Sequence, residues 1–231
     1  MIIPQATTQP LHTSTLSAKE LAVMDTPPPY EPSPALPAPA AAAGYPPHLK
    51  PTNAIHITRR MAELKDTFVL NPALAVPLPM RLLPSARKHH LSLSALMGNV
   101  DAVVHVVGSE ALPKGGKTRV EVRSVMGSTR LDLHAAQPRA PLSIDVRARL
   151  GESIILIPRS FRGLLKIYVK LGEVELSHDL RMASRSFGED LFVGEWREEE
   201  VGDERWRGDE AVVDSMMGSV WVGYSGEGKG S

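Results

Sequence analysis

The chain has 231 residues, with 26 Lys and Arg balancing 26 Asp and Glu and a pI near 7.1. That leaves room for one domain with a tail or two small domains, and it argues against nucleic acid or an anionic membrane as the main partner, since both demand a net basic surface. There is no Cys, which excludes disulfides, a thiol nucleophile and thiolate metal sites, and aromatic residues are only 5% against 42% hydrophobic, so the expected core is aliphatic.

The first residues lack a basic start followed by an apolar run, and no window approaches the roughly 18 apolar residues of a spanning helix. The expectation is an intracellular protein, cytoplasmic or nuclear. Twelve of the 20 prolines fall between Pro4 and Pro51, and large apolar residues there are sparse. Residues 1–51 therefore read as a disordered, Pro-rich arm of polyproline II character, which cannot bury enough surface to offset its ordering entropy. Ser17–Met24 is a short exception, with an N-cap-like Ser, but a helix this short is marginal alone.

Within the arm, Pro27, Pro28, Pro29 and Tyr30 form a PPxY sequence, the ligand pattern of WW domains. The prolines preset the extended left-handed helix and Tyr30 supplies an aromatic anchor. Thr26-Pro27 and Ser33-Pro34 flank it as proline-directed phosphorylation sequences, where added charge would modulate docking. The plain alternative is a solvated spacer.

Residues 52–225 read as an all-β domain. Asn53–Arg60 and Lys65–Leu70 alternate as short strands, and Pro72–Ser85 is irregular. From Leu91 the alternation is sustained: strand, Gly, strand, with the glycines at Gly98, Gly127, Gly151, Gly172 and Gly218. Outward residues such as Asp145, Arg147 and Arg149, or Lys166 and Lys170, interleave with apolar ones, as in strands with one buried face. Leu171 and Val174 are three apart, so face parity resets across Gly172-Glu173. A two-residue type II′ hairpin turn does this, and so does a bend between successive sheets of a coil.

The glycine spacings are 29 (98 to 127), 24 (127 to 151), 21 (151 to 172) and 46 (172 to 218), the last near twice 23. The expected fold is a β-solenoid or roll of short-strand repeats, with an antiparallel β-sandwich as the alternative. The long spacing is read as one turn replaced by an insertion, 177–210, partly ordered at Phe192–Trp196 and carrying the mixed-charge run Arg197–Glu210. Trp196 and Trp206 are expected to cover an open edge of the core rather than to anchor a partner. Residues 226–231 read as a flexible tail.

No phosphate-binding glycine loop, His-Glu-x-x-His or Gly-x-Ser-x-Gly occurs, and no carboxylate pair stands out as acid and base. His89 and His90 are adjacent and so point to opposite faces of an extended chain, which suits solvated residues better than metal ligands. Arg159 and Arg162 bound a Pro/Gly connection that could hold an anion, although a plain strand connection is the simpler reading. No catalytic residue, cofactor or metal is assigned.

Several segments together resemble a domain of unknown function found mainly in mushroom-forming basidiomycete fungi. They are PPPY at Pro27–Tyr30, TNAIHIT at Thr52–Thr58, DTFVLNPAL at Asp66–Leu74, Leu91–Gly108, IPRSFRGLL at Ile157–Leu165, LFVGEW at Leu191–Trp196 and Asp209–Tyr224. The strand–Gly–strand rhythm is also similar to that of bacterial putative adhesins built from β-coils. The resemblance implies an all-β repetitive fold and brings no activity. The expected function is a non-enzymatic interaction protein whose arm docks a WW-domain protein, with a ubiquitin ligase as the candidate partner. The alternative is a glycan-binding or glycan-processing β-coil protein.

Overall fold

The computed structural model describes residues 45–76, 89–108, 116–195 and 208–228. The motif Pro27–Tyr30, Trp196 and Trp206 lie outside them. The first half of the domain runs β1 (Ile55–Arg59), β2 (Leu64–Leu70), β3 (Leu91–Met97), β4 (Val100–Val106), β5 (Thr118–Met126), β6 (Thr129–Ala135), β7 (Leu142–Leu150) and β8 (Ser153–Ile157). Then come β9 (Gly163–Leu171), β10 (Val174–Leu176), a short helix α1 (His178–Ala183), β11 (Ser184–Phe187), β12 (Asp190–Val193), β13 (Asp209–Met217) and β14 (Val220–Tyr224).

The strands form two sheets. One has eight strands in the order β1-β3-β5-β7-β13-β9-β12-β11, and the other has six in the order β10-β14-β8-β6-β4-β2. Pairing is parallel throughout except where β12 runs antiparallel to β9 and β11 antiparallel to β12. The antiparallel sandwich is therefore corrected: two sheets do face each other, but their ladders are parallel. The chain crosses from sheet to sheet at each glycine, so neighbours in a ladder come from different coils.

Alternation decides what meets across the gap. Leu91, Val120, Ile144, Ala211 and Leu165 stand in register on the inner face of the larger sheet. Ala102, Leu131, Ile155 and Val222 do the same on the smaller one. All nine are at most 1% exposed. At about 1.5–3 kcal/mol for each fully buried large aliphatic side chain, these rows supply the main driving force. They are aliphatic, as the composition requires.

The glycine turns are bends between sheets, not hairpins within one. Gly98, Gly127, Gly151, Gly218 and Gly172 stack in one column with φ between +122° and +149°. A Cβ at Gly98 would sit 2.6 Å from the Ala62 carbonyl oxygen, and at the other four it would press closer still on the carbonyl of the preceding glycine in the column. Backbone bonds continue around the corner: Gly151 N–H donates to Met217 O at 3.0 Å, and Ser153 N–H to Ser219 O at 2.9 Å.

The coil order departs from the chain order. Coil β13–β14 lies between coils β7–β8 and β9–β10, joined to β7 and β9 on one sheet and to β8 and β14's other neighbour, β10, on the second. The sequence reading of 177–210 as an insertion in place of one turn says nothing of this order. The chain leaves a slot after β8, builds β9 and β10, adds α1 and the β11–β12 hairpin, and returns to fill the slot. Helix α1 was not anticipated; it has six residues and is capped by Ser177, whose hydroxyl accepts from Leu180 N–H at 3.2 Å.

Asp209, at the entry of β13, fixes the inserted coil. Its Oδ1 accepts from Arg139 at 2.8 Å and Leu142 N–H at 2.7 Å, and its Oδ2 from Arg139 at 2.7 Å and Arg162 N–H at 2.8 Å. Both charged side chains are nearly sealed, at 4% and 5% exposure.

Two consequences are measurable. Gly151→Ala places a side chain in a backbone region reserved for Gly and against a stacked carbonyl, and is expected to lower the unfolding free energy in urea by at least about 1–3 kcal/mol. Asp209→Ala removes the counter-charge of the buried Arg139, which keeps only neutral acceptors at Ala140 O and Ser160, and takes the acceptor from the Leu142 and Arg162 N–H groups; it should lose about 3–5 kcal/mol in the same titration.

Candidate functional site

At the end of the stack, where β10, α1, β14 and the turn after β14 meet, a cleft of about 460 Å³ opens. Its walls include Glu175 and Leu176 of β10, Asp179 and Arg181 of α1, Trp221 of β14 and Glu227. Trp221 points away from the core because Val220 and Val222 point into it. Its indole lies over Gly223, where a Cβ would come within 2.5 Å of Cη2, so the missing side chain is what makes room for the ring. Only 4% of Trp221 is exposed.

The polar groups around the cleft are largely committed to one another. Arg159 reaches Asp179 Oδ2 and Glu227 Oε1, each at 3.2 Å, and its guanidinium stands 5.3 Å from the centre of the Tyr224 ring. Glu227 Oε2 accepts from Tyr224 N–H at 2.9 Å. Burial pushes the Tyr224 phenol above its ordinary pKa; the carboxylates of Glu227 and Asp179 add to that and Arg159 opposes it. The phenol therefore stays neutral at physiological pH. Such a cleft offers charge-assisted hydrogen bonds and one aromatic wall, the equipment of a binding site for a small polar group.

A second cluster lies on the outer face of the six-stranded sheet. His105 of β4 and His134 of β6 are register partners, and their rings stack at 4.8 Å with 16° between planes. Tyr45 lies 6.3 Å from the His105 ring, His134 Nε2 stands 3.2 Å from Asp132 Oδ1, and Ser225 Oγ donates to the same oxygen at 2.8 Å. The sequence reading passed over this pair because the two histidines are 29 residues apart. That is the spacing from Gly98 to Gly127, and the coil pitch would have found them. The same offset joins Ser92 to Glu121 at 3.1 Å, and His90 Nδ1 to the Arg119 N–H at 3.0 Å.

The remaining expected residues are placed as follows. Asp145, Arg147 and Arg149 stand on β7 and Lys166 and Lys170 on β9, with β13 between them, so they make no single row. Arg147 pairs with Asp145 on its own strand at 2.8 and 3.0 Å, and Lys166 with Asp190 at 3.6 Å. Arg159 and Arg162 hold carboxylates and a carbonyl of the protein itself, the latter through Glu195 O at 3.0 Å. His89 Nε2 lies 3.7 Å from the buried Glu121 carboxylate. Burial opposes the charge on Glu121, but His89, Arg123 and the Ser92 hydroxyl together pull its pKa below the ordinary value. Among the described residues no group of three or more His, Asp or Glu comes together around a metal-sized point.

The histidines set a pH dependence. Burial, then the neighbouring charge of Arg119 for His90 and of His134 for His105, depresses both pKa values below 6.5. The unfolded chain therefore takes up protons first as pH falls, and stability declines from 6.5 downward, through the folded pKa values. The Glu121 contribution is lost only in a separate window, below 4.5. Thermal unfolding between about pH 7.5 and pH 5 should show a falling midpoint, and His105→Gln should flatten part of that fall.

A family model described as a domain of unknown function, DUF7330, matches residues 53–227. No curated protein and no solved structure matches the chain.

Proposed function

This chain belongs to the DUF7330 family, and we propose that it is a non-enzymatic interaction protein: a β-solenoid-like domain presenting a surface, with an arm that docks a WW-domain partner. The observation that carries this reading is the position of Pro27-Pro28-Pro29-Tyr30. The family domain starts at residue 53, so the motif lies in the part of the chain that precedes the domain. An arm sequence rich in proline loses little entropy when it is captured in extended form, and Tyr30 provides the specific anchor. The partner class is a WW-domain protein; a ubiquitin ligase carrying such domains would make this chain an adaptor or a substrate, and would place both inside the cell, in cytoplasm or nucleus.

The finer fold assignment, a β-solenoid of the kind found in bacterial putative adhesins, rests on six coils that stack in register through parallel ladders. What favours binding over catalysis is the state of the cleft: Asp179 and Glu227 are both engaged by Arg159, and the Ser177 hydroxyl caps α1. The glycan alternative draws less support. Trp221 is 4% exposed and Tyr168 is 48% exposed, and they belong to different sheets, so they offer no shared stacking platform.

The full-length chain should be captured by a panel of immobilised WW domains, and Tyr30→Ala should reduce that capture by at least about tenfold while leaving the unfolding curve unchanged. Equal capture of the two proteins would refute the docking assignment.

A further inference from the structure

Every coil turns the corner with the same four-position pattern, whose second position is Gly in five coils and Ala62 in the first. The residue just before that position is large and apolar in all six coils: in spatial order Met61, Met97, Met126, Leu150, Met217 and Leu171. Ladder register aligns the last five, and Met97 N–H donating to Arg60 O at 2.9 Å sets Met61 beside Met97. These side chains are 38% to 81% exposed. They form a ridge about 24 Å long, five strand spacings, on the outside of the corner. Of the thirteen large apolar residues exposed among the described residues, nine lie on this edge, the others being Leu96, Met216 and Val174. A concentration of this kind marks an interaction surface, and a Met-rich one adapts readily to an opposing apolar surface.

The flanks of the ridge identify the occupant. On the eight-stranded side stand Arg60, Arg149 and Lys170; on the six-stranded side, in the same three coils, stand Glu63, Glu152 and Glu173. An anionic lipid surface would meet three carboxylates along one flank. A second copy, turned about a two-fold axis running along the ridge, lays each basic flank on an acidic one and matches them coil by coil. Lys170 then meets Glu173 of the second copy, and Arg60 meets Glu63. A two-fold across the ridge would instead set base against base. The nine apolar side chains offer an area on the order of the 800 Å² per partner that a standard interface takes. We propose that two copies of this chain associate along this ridge as a two-fold dimer, with coils level and the Met/Leu row at its centre.

The test is sedimentation of the full chain from about 1 to about 100 µM, with thermal unfolding to verify that each variant is folded. The wild type should dimerise with rising concentration, and Met126→Lys with Leu150→Lys should sediment as a monomer of unchanged stability. Lys170→Glu and Glu173→Lys should each weaken the dimer by about tenfold, since each change acts twice across the axis, and the double exchange should restore it. A wild type that stays monomeric overturns the proposal, including the case where it floats instead with phosphatidylcholine–phosphatidylserine vesicles. A dimer that ignores the two Lys substitutions overturns the ridge as its interface, and a double exchange that fails to restore association overturns the two-fold.

Discussion

The structure depends on one backbone constraint, the glycine corner. Two strands that share a coil must both point their alternating apolar residues into the same gap although they belong to opposite sheets. A step of three residues between Leu171 and Val174 resets the parity, and the first of the two residues between them, Gly172, takes a positive φ. Stacking sharpens the demand. Each corner carbonyl occupies the space where the next corner's side chain would be, so the column accepts only Gly from Gly98 onward. Ala62, at the open end, has the same place in the first coil and marks where the constraint relaxes.

With the corners fixed, the coil pitch becomes the variable that decides which side chains meet. The first full step is 29 residues, and it accounts for His90 with Arg119, Ser92 with Glu121, Asn99 with Ser128, and His105 with His134. All the information for these contacts was present in the glycine positions. Alternation within a single strand does not carry it, because period two relates neighbours such as His89 and His90 and not residues one coil apart. The all-β class, the aliphatic core and the turn residues were legible because they follow from local rules: period two, and Gly where a side chain cannot fit.

The coil order was not legible, for a physical reason. A spacing of 46 residues between Gly172 and Gly218 is compatible with any coil placed anywhere in the stack. What selects the slot is long-range and polar. Asp209 finds Arg139 seventy residues away, and Leu142 N–H sixty-seven away, both at the mouth of the gap between β7 and β9. Neither residue carries a local signature. Helix α1 escaped for the opposite reason, being too short to show a period; its start is set by the Ser177 cap and its place by the buried Leu180.

The intercalated coil changes how the stack holds together. In a solenoid whose coils follow chain order, each added coil rests on the one before, and the end frays without affecting the middle. Here β7 has no ladder with β9, nor β8 with β10; the bonds between the two parts pass through β13 and β14. The C-terminal coil is thus an interior element with a ladder on each side, and the end coil β9–β10 depends on it, as do α1 and the β11–β12 hairpin beyond. A buried ion pair fits this place. The desolvation of Arg139 and Asp209 makes the pair a poor source of net stability. It does impose a strong preference for register, because only one placement of β13 brings a carboxylate to the guanidinium and the two N–H groups that otherwise have none. Apolar rows of Val, Ile and Leu would tolerate a slip of one coil; the Asp209 latch does not.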